Sequence, residues 1–179
     1  MNFLIQSLTY FRIISAPIIF IFITALDLYG WALILFILAS SSDYWDGFLA
    51  RKYNLESTLG AVLDPIADKI LVTFLILALS LELQSIFIAF FGGIILVREF
   101  WVAALRDLNA REGRSDATKV TFLAKMKTVI QFITFASFIL GLFLHNSLLL
   151  FLSNFLLVIS LIITVQTGLS YSIATFQKK

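Results

Sequence analysis

Residues 148–170 read LLLFLSNFLLVISLIITVQTGLS and contain no charged side chain. A helix that crosses a membrane needs about 20 mostly apolar residues, because the hydrocarbon core is about 30 Å thick and each helical residue rises about 1.5 Å. The stretch satisfies both the length and the composition. The sequence therefore predicts a membrane-spanning helix at these residues.

The composition of the whole chain agrees with that prediction. Of the 179 residues, 60% are hydrophobic and 13% are charged, and the mean hydropathy is +1.00. A soluble domain of this size has too much surface to hide so many apolar side chains, so we expect residues 1–179 to form one integral membrane domain. The net charge of +2 gives no support for a nucleic-acid partner. The lack of cysteine excludes disulfides and thiolate metal ligands.

Five further apolar segments are long enough to span a membrane, at residues 11–26, 30–49, 60–81, 86–105 and 120–144. The predicted fold class is all-α, a polytopic membrane protein with six transmembrane helices. Ahead of the first span, Leu4, Leu8 and Phe11 recur at helical spacing. This pattern predicts a short N-terminal interfacial helix, with a plain start of the first span as the alternative.

The basic residues predict the orientation of the spans. With six spans both termini lie on one side, and all 13 lysines and arginines fall on that side or nearest to it. The connections on the opposite side, at residues 27–29, 82–85 and 145–147, contain none. Because loops rich in lysine and arginine stay in the cytoplasm, we expect both termini and the active site to face the cytoplasm from the cell (inner) membrane.

Four acidic residues lie at the cytoplasmic ends of the second and third predicted spans. They are Asp43, Asp46, Asp64 and Asp68, within residues 42–69, SDYWDGFLARKYNLESTLGAVLDPIADK. A charge near the bilayer centre costs roughly 2.5–3.5 kcal/mol on the insertion scale, so acids inside a membrane indicate a function by default. The spacing places Asp43 with Asp46, and Asp64 with Asp68, on one stripe of each helix. A short cytoplasmic loop joins these two helices, so we expect them to be antiparallel neighbours whose stripes face each other. The four carboxylates then form one cluster at the cytoplasmic edge of the membrane.

Such a cluster suits a divalent metal ion. Carboxylates without histidine or cysteine favour Mg²⁺, Mn²⁺ or Ca²⁺ over zinc, and two ions can clamp the attacking and leaving oxygens of a phosphoryl transfer. The alternative is that the acids form ion pairs with Arg51, Lys52 and Lys69. The small residues Gly47, Ala50 and Gly60 lie on the same stripes, where they permit either close approach of a ligand or close packing of helices.

Basic residues of the fourth and fifth spans form a second candidate group. They are Arg98, Arg106, Lys125 and Lys127. An arginine inside a membrane pairs with an acid or a phosphate, so these residues could line a pocket for a phosphorylated acceptor. The alternatives are helix-bridging ion pairs, such as Arg106 with Glu99 or Arg98 with an aspartate, and lysines that extend to the interface.

Residues 43–68 contain eight residues at fixed spacing, Asp43-x2-Asp46-Gly47-x2-Ala50-Arg51-x8-Gly60-x3-Asp64-x3-Asp68. With this pattern the chain resembles the CDP-alcohol phosphatidyltransferases. Other segments are similar to the branch that makes phosphatidylglycerophosphate: Leu8-Thr9-x2-Arg12-x4-Pro17, Leu63-Asp64-Pro65-Ile66-Ala67-Asp68-Lys69, Arg98-Glu99-Phe100 and Lys125-x-Lys127-Thr128-x2-Gln131. Gln6 and Ala124 depart from that branch, where Asn and Gly are frequent, and neither departure touches a carboxylate.

The resemblance implies transfer of a phosphatidyl group from CDP-diacylglycerol to sn-glycerol 3-phosphate, with release of CMP. It implies that Asp43, Asp46, Asp64 and Asp68 bind two Mg²⁺ or Mn²⁺ ions and that Asp68 is also the general base. It further implies a homodimer in membrane lipid and CDP contacts from a second set of residues. That set is Gly47, Ala50, Arg51 and Gly60.

Three alternatives remain open at this point. The same chemistry could use another acceptor, namely phosphatidylglycerol, serine or an inositol phosphate. A divalent-cation transporter would also need acids inside the membrane, although these acids lie at one edge and no inverted repeat is visible. A scaffold without catalytic activity would leave the spacing of the acids unexplained.

Overall fold

The structure, a computed structural model, describes the backbone of residues 2–53, 58–119 and 121–177. It describes side chains in residues 7–42 and 63–177, apart from 115, 117 and 120. Within these residues the chain forms a short 3-10 helix at Ser115–Thr118, no strand, and six α-helices: α1 Asn2–Thr24, α2 Tyr29–Tyr53, α3 Thr58–Glu82, α4 Ile86–Arg111, α5 Phe122–Phe143 and α6 Ser147–Phe176. The predicted all-α fold class is confirmed.

Four helical stretches of the described residues are long and apolar enough to cross a membrane. They are Ser7–Thr24, Ile86–Arg111, Phe122–Phe143 and Ser147–Phe176. The apolar part of α2, Tyr29–Ser42, is shorter, and α3 carries several charged residues, including Asp64, Asp68 and Lys69. The chain is therefore a membrane protein by composition, and the count of six spans stays a prediction. The two helices that are not among these four, α2 and α3, are those that carry Asp43, Asp46, Asp64 and Asp68.

The N-terminal residues belong to the first helix. Residues 2–24 form one α-helix with Pro17 inside it. A proline is tolerated in an apolar helix because neighbouring groups can satisfy the backbone that it frees. The predicted interfacial helix is thus not a separate element, and the alternative, a plain start of the first span, describes α1.

Two groups of three helices make up the bundle. In the first, α1 packs against α2 and α3, and in the second, α6 packs against α4 and α5. The groups meet where α3 contacts α4, and where α5 contacts α2 and α3. Fully buried apolar side chains, such as Ile19, Leu75, Leu79 and Phe138, form the core between them.

Small residues let the helices approach closely. A Cβ added at Gly92 of α4 would lie 2.5 Å from Ile76 Cγ2 of α3, and one added at Gly168 of α6 would lie 2.9 Å from Arg98 Cγ. Such close approach is how helices associate in lipid, where apolar side chains gain little by leaving the solvent. These glycines therefore set the distance between α3, α4 and α6.

The predicted direct pairing of α2 with α3 is not one of the main helix contacts in the described part of the chain. Both helices pack instead on α1 and α5. The pairing was predicted at the acids, and most of that stretch has side chains outside the described residues, so it stays a prediction. The two helices nevertheless border the same cavity, described next.

Candidate active site

The two acids of α3 are held by polar residues of α1. The hydroxyl of Thr9 donates a hydrogen bond of 2.7 Å to Asp64 Oδ1. Arg12 Nη1 forms an ion pair of 2.8 Å with Asp68 Oδ1. Thr9 and Arg12 lie one turn apart on α1, and the two acids lie one turn apart on α3, so neighbouring turns of the two helices pair in sequence.

Burial differs sharply across these contacts. Arg12 is 0% exposed and Thr9 is 1% exposed, whereas the side chain of Asp68 is 53% exposed. The carboxylate of Asp68 is thus accessible from outside the bundle, while its cationic partner is enclosed by the helices. Asp68 is thus accessible to a substrate while the fully buried Arg12 holds its carboxylate in place.

A cavity of about 150 Å³ lies beside Asp68 between α2, α3, α4 and α5. Its polar lining is Ser40, Asp68, Lys69, Glu99, Lys127, Thr128 and Gln131, and its apolar lining is Phe36, Leu71, Val72, Phe132 and Phe135. The rings of Phe36 and Phe132 are stacked with centroids 4.9 Å apart. The lining thus offers both charged groups and apolar side chains, as an amphiphilic substrate requires.

Two of the predicted cations meet at one acid on the far side of this cavity. Glu99 Oε1 pairs with Arg98 Nη1 at 3.2 Å and also accepts a hydrogen bond from Lys127 Nζ. Arg98 Nη2 donates to the hydroxyl of Thr167 on α6 at 2.6 Å. Both cations are 8% exposed. Glu99 thus joins α4 to α5, and Arg98 joins α4 to α6.

The other two predicted cations lie elsewhere. Arg106 is exposed and its guanidinium lies 5.7 Å from the ring centroid of Tyr171. Lys125 is also exposed, and neither residue is among those that line the cavity. The structure thus brings together Arg98 and Lys127 of the predicted acceptor group. The alternative ion pair of Arg106 with Glu99 is not formed, because Arg98 and Lys127 occupy that acid.

The predicted residues of the second span and Gly60 cannot be placed in the same way. The side chains of Asp43, Asp46, Gly47, Ala50, Arg51 and Gly60 lie outside the described residues. Among the side chains that are described, no group of three or more His, Cys, Asp or Glu is placed to hold a metal ion. Asp64 and Asp68 do supply the hard oxygen donors that Mg²⁺ and Mn²⁺ prefer. The chemistry of this pair fits such ions, and the full ligand set stays a prediction.

Sequence reasoning assigned no site role to Thr9, Arg12 or Gln131, and it considered Glu99 only as an ion-pair partner of Arg106. All four lie in the segments that carry the family resemblance. A signal was available for Arg12, because an arginine inside an apolar span needs a partner. Gln131 is 6% exposed, its Nε2 has no hydrogen-bond partner among the described residues, and it lines the cavity. No spacing rule identifies such a residue before the helices are assembled.

Comparison with known proteins identifies the family of this chain. The model of the CDP-alcohol phosphatidyltransferase family matches residues 4–166. A CDP-diacylglycerol–glycerol-3-phosphate 3-phosphatidyltransferase of Wigglesworthia glossinidia brevipalpis is 36% identical over 132 residues, which are 73% of this chain and 72% of that protein. Proteins with the same name from Salmonella choleraesuis (strain SC-B67) and Escherichia coli (strain K12) are 32% and 33% identical over 133 residues, which are 72% of each chain. This chain therefore belongs to the CDP-alcohol phosphatidyltransferase family.

Proposed function

We propose that this chain transfers the phosphatidyl group of CDP-diacylglycerol to sn-glycerol 3-phosphate, which yields phosphatidylglycerophosphate and CMP. The observation that carries the proposal is the combination of an accessible carboxylate, Asp68, and a buried cation, Lys127, on one cavity. That cavity lies in a chain whose relatives are named for this transfer. The reaction forms a bond from the acceptor hydroxyl oxygen to phosphorus and breaks the bond from phosphorus to CMP.

Asp68 is the proposed general base. It takes the proton of the acceptor hydroxyl as that oxygen attacks phosphorus. The exposed side chain of Asp68 can be reached by a water-soluble acceptor, and Arg12 holds its Oδ1 atom. A base must lie within hydrogen-bond reach of the proton that it removes, so a carboxylate held at the mouth of a cavity is well placed for this role.

Two Mg²⁺ or Mn²⁺ ions complete the proposed site. Asp43, Asp46, Asp64 and Asp68 would hold them, and when bound they would neutralise the negative charge of the diphosphate. Asp64 and Asp68 of α3 support this proposal, because their carboxylate oxygens are the ligands that these ions prefer. By helical register, Asp43 and Gly47 follow Ser40, which lines the cavity, at i+3 and i+7 on α2.

The CDP moiety is proposed to contact four further residues, Gly47, Ala50, Arg51 and Gly60. Their support is the family membership of the chain and their spacing relative to the acids. Arginine suits this role because its planar guanidinium can grip a phosphate with two parallel hydrogen bonds.

The acceptor phosphate is proposed to bind at the cations of α4 and α5. Lys127 is the member of the predicted group that lines the cavity, and Arg98 supports it through Glu99. Arg106 and Lys125 are exposed and do not line the cavity, so their proposed role is to attract a dianion as it approaches.

The proposed setting is the cell (inner) membrane with both termini and the site in the cytoplasm, where the chain forms a homodimer. The exposed basic residues Arg111, Arg114 and Lys119 lie at one end of the bundle, which supports the orientation. The homodimer rests on the family resemblance. Because the chain has no cysteine, a single cysteine at Gln84 should react with an impermeant thiol reagent in intact cells, and one at Lys119 should not. The reverse labelling would overturn the orientation.

A direct assay tests the activity. Purified protein in detergent, with CDP-diacylglycerol and Mg²⁺, is supplied in turn with glycerol 3-phosphate, phosphatidylglycerol, serine or an inositol phosphate. We expect CMP release to be fastest with glycerol 3-phosphate, and free glycerol to be a very poor acceptor because it leaves the buried cations without a phosphate. Faster release with another acceptor would contradict the proposed acceptor and leave the family assignment intact.

A further inference from the structure

The contacts from α1 to the acids of α3 are built from buried donors. Arg12 is fully buried and its partner Asp68 is about half exposed. Thr9 is 1% exposed and donates to Asp64 at 2.7 Å. The donors are therefore enclosed by the bundle, while the carboxylate of Asp68 faces accessible space.

Stability alone gives a weak reason for this arrangement. Burying an arginine costs several kcal/mol by order of magnitude, and a buried ion pair commonly contributes less than well-packed apolar side chains would. Asp68 does not require Arg12 for solvation, because half of its side chain is exposed. What the contact does supply is orientation, since a charge-assisted hydrogen bond from a fixed donor limits the rotamers of a carboxylate.

The donors are fixed because α1 packs firmly against α3. Ser15, Ala16 and Ile19 follow Arg12 on α1, and none is more than 1% exposed. The backbone that carries Thr9 and Arg12 is thus held in place by the same interface that contains their contacts. Side chains on such rigid elements hold a reacting group more accurately than side chains on loops.

We propose that Thr9 and Arg12 are positioning residues, which hold Asp64 and Asp68 in the orientation that metal binding and proton transfer require. This inference rests on the proposed function for its chemical role. Thr9 acts on the acid that is proposed to bind metal, and Arg12 acts on the acid that is proposed to be the base as well. Partners of metal ligands and catalytic groups typically contribute about 10- to 100-fold to metal affinity or activity.

Substitutions at Thr9 test the proposal without a change of charge. Thr9→Val keeps the shape and removes the hydroxyl, and Thr9→Ser keeps the hydroxyl. Ser15→Ala is the matched control, because Ser15 is also buried on α1 and contacts neither acid in the described hydrogen bonds. Arg12→Lys keeps the charge and replaces the planar guanidinium with a single nitrogen.

Two measurements are made on purified, full-length protein. The first is steady-state kinetics of CMP release at saturating Mg²⁺, and the second is the Kd for Mn²⁺, from the electron paramagnetic resonance signal of free Mn²⁺, without substrate. Thr9→Val should lower kcat about 10- to 100-fold and raise the Kd for Mn²⁺, with KM for CDP-diacylglycerol within about twofold. Thr9→Ser should restore both quantities, Arg12→Lys should lower kcat although its charge is retained, and Ser15→Ala should match the wild type.

The thermal unfolding temperature of each variant separates positioning from folding. The proposal is overturned if Thr9→Val keeps wild-type kcat and Mn²⁺ affinity. It is also overturned if Thr9→Ser loses as much as Thr9→Val, or if the losses follow a lowered Tm. Should the wild type release no CMP with glycerol 3-phosphate, the proposed function fails, and the Mn²⁺ affinities of the Thr9 variants still decide whether Thr9 positions Asp64.

Discussion

The α1–α3 contact and the α4–α5–α6 contact place charges inside the bundle in opposite ways. In the first, buried donors meet two carboxylates: Arg12 pairs with Asp68, and the hydroxyl of Thr9 donates to Asp64. In the second, two buried cations share one carboxylate: Arg98 and Lys127 against Glu99 leave one net positive charge. The cavity lies between them and is lined by Asp68 on one side and by Glu99 and Lys127 on the other.

This difference favours a separate role for each of the two sides in the proposed reaction. The negative side has an exposed carboxylate and is suited to metal ions and to proton transfer. The positive side has two cations that share one carboxylate, and its remaining positive charge is suited to the proposed acceptor phosphate. Two sites of opposite sign on one cavity can hold a cation and an anion at the same time, which a cluster of a single sign cannot do without strong repulsion.

Removal of metal should produce the largest effect on the negative side. A chelator should abolish CMP release, and added Mg²⁺ or Mn²⁺ should restore it, because four carboxylates without ions would repel the diphosphate. Asp64→Asn should lower kcat by orders of magnitude while the helices stay folded, as judged by circular dichroism. Full activity in chelator, or a near-wild-type rate for Asp64→Asn, would exclude the metal role of this side.

The base assignment should have the next largest effect. Asp68→Asn should lower kcat about 10²- to 10⁴-fold, the usual contribution of a general base, with less effect on KM for CDP-diacylglycerol. Steady-state kinetics at saturating metal provide the measurement. Asp107→Asn is the matched control, because Asp107 is an exposed acid that pairs with Arg111 on α4. Normal turnover of the Asp68 variant would refute the assignment.

The positive side should control acceptor binding. Lys127→Ala should raise KM for glycerol 3-phosphate about 10-fold and change KM for CDP-diacylglycerol little, because one charge-assisted phosphate contact is lost. Lys119→Ala, an exposed loop residue, is the control. An unchanged KM for glycerol 3-phosphate in the Lys127 variant would make the Glu99 cluster a structural ion pair.

The smallest effect is expected at the turns farthest from the basic residues. Asp27, Gln84 and His145 have positive φ angles of 53°, 46° and 48°, a conformation that costs a non-glycine residue about 1–2 kcal/mol. Gln84→Gly should raise Tm slightly, since the gain is reduced by the greater freedom of glycine in the unfolded chain. Its kcat should equal that of the wild type. A large loss of activity would show that the two ends of the bundle are coupled.

The fold class and the identity of the acids could be predicted from the sequence. The apolar runs at α1, α4, α5 and α6 need no tertiary information, because lipid excludes unpaired backbone and leaves helices as the solution. Asp64 and Asp68 are four residues apart, so they lie on one face of α3 because of the helical period. The separate interfacial helix was wrong, because residues 2–24 form one continuous helix, and helix continuity depends on packing that a periodic pattern does not contain. The pairing of α2 with α3 at the acids stays a prediction, because the side chains of residues 43–62 lie outside the described residues.

The sequence by itself determined that this protein is a helical membrane enzyme of one family, and it identified the carboxylates that are candidates for its site. Only the tertiary structure decided which groups meet those charges. Thr9 contacts Asp64 and Arg12 contacts Asp68, across 55 and 56 residues of chain. Lys127 and Arg98 both pair with Glu99, whereas Arg106 packs against the ring of Tyr171. The physical reason is that a buried charge must find a partner, but which partner it finds is set by how helices distant in sequence pack together.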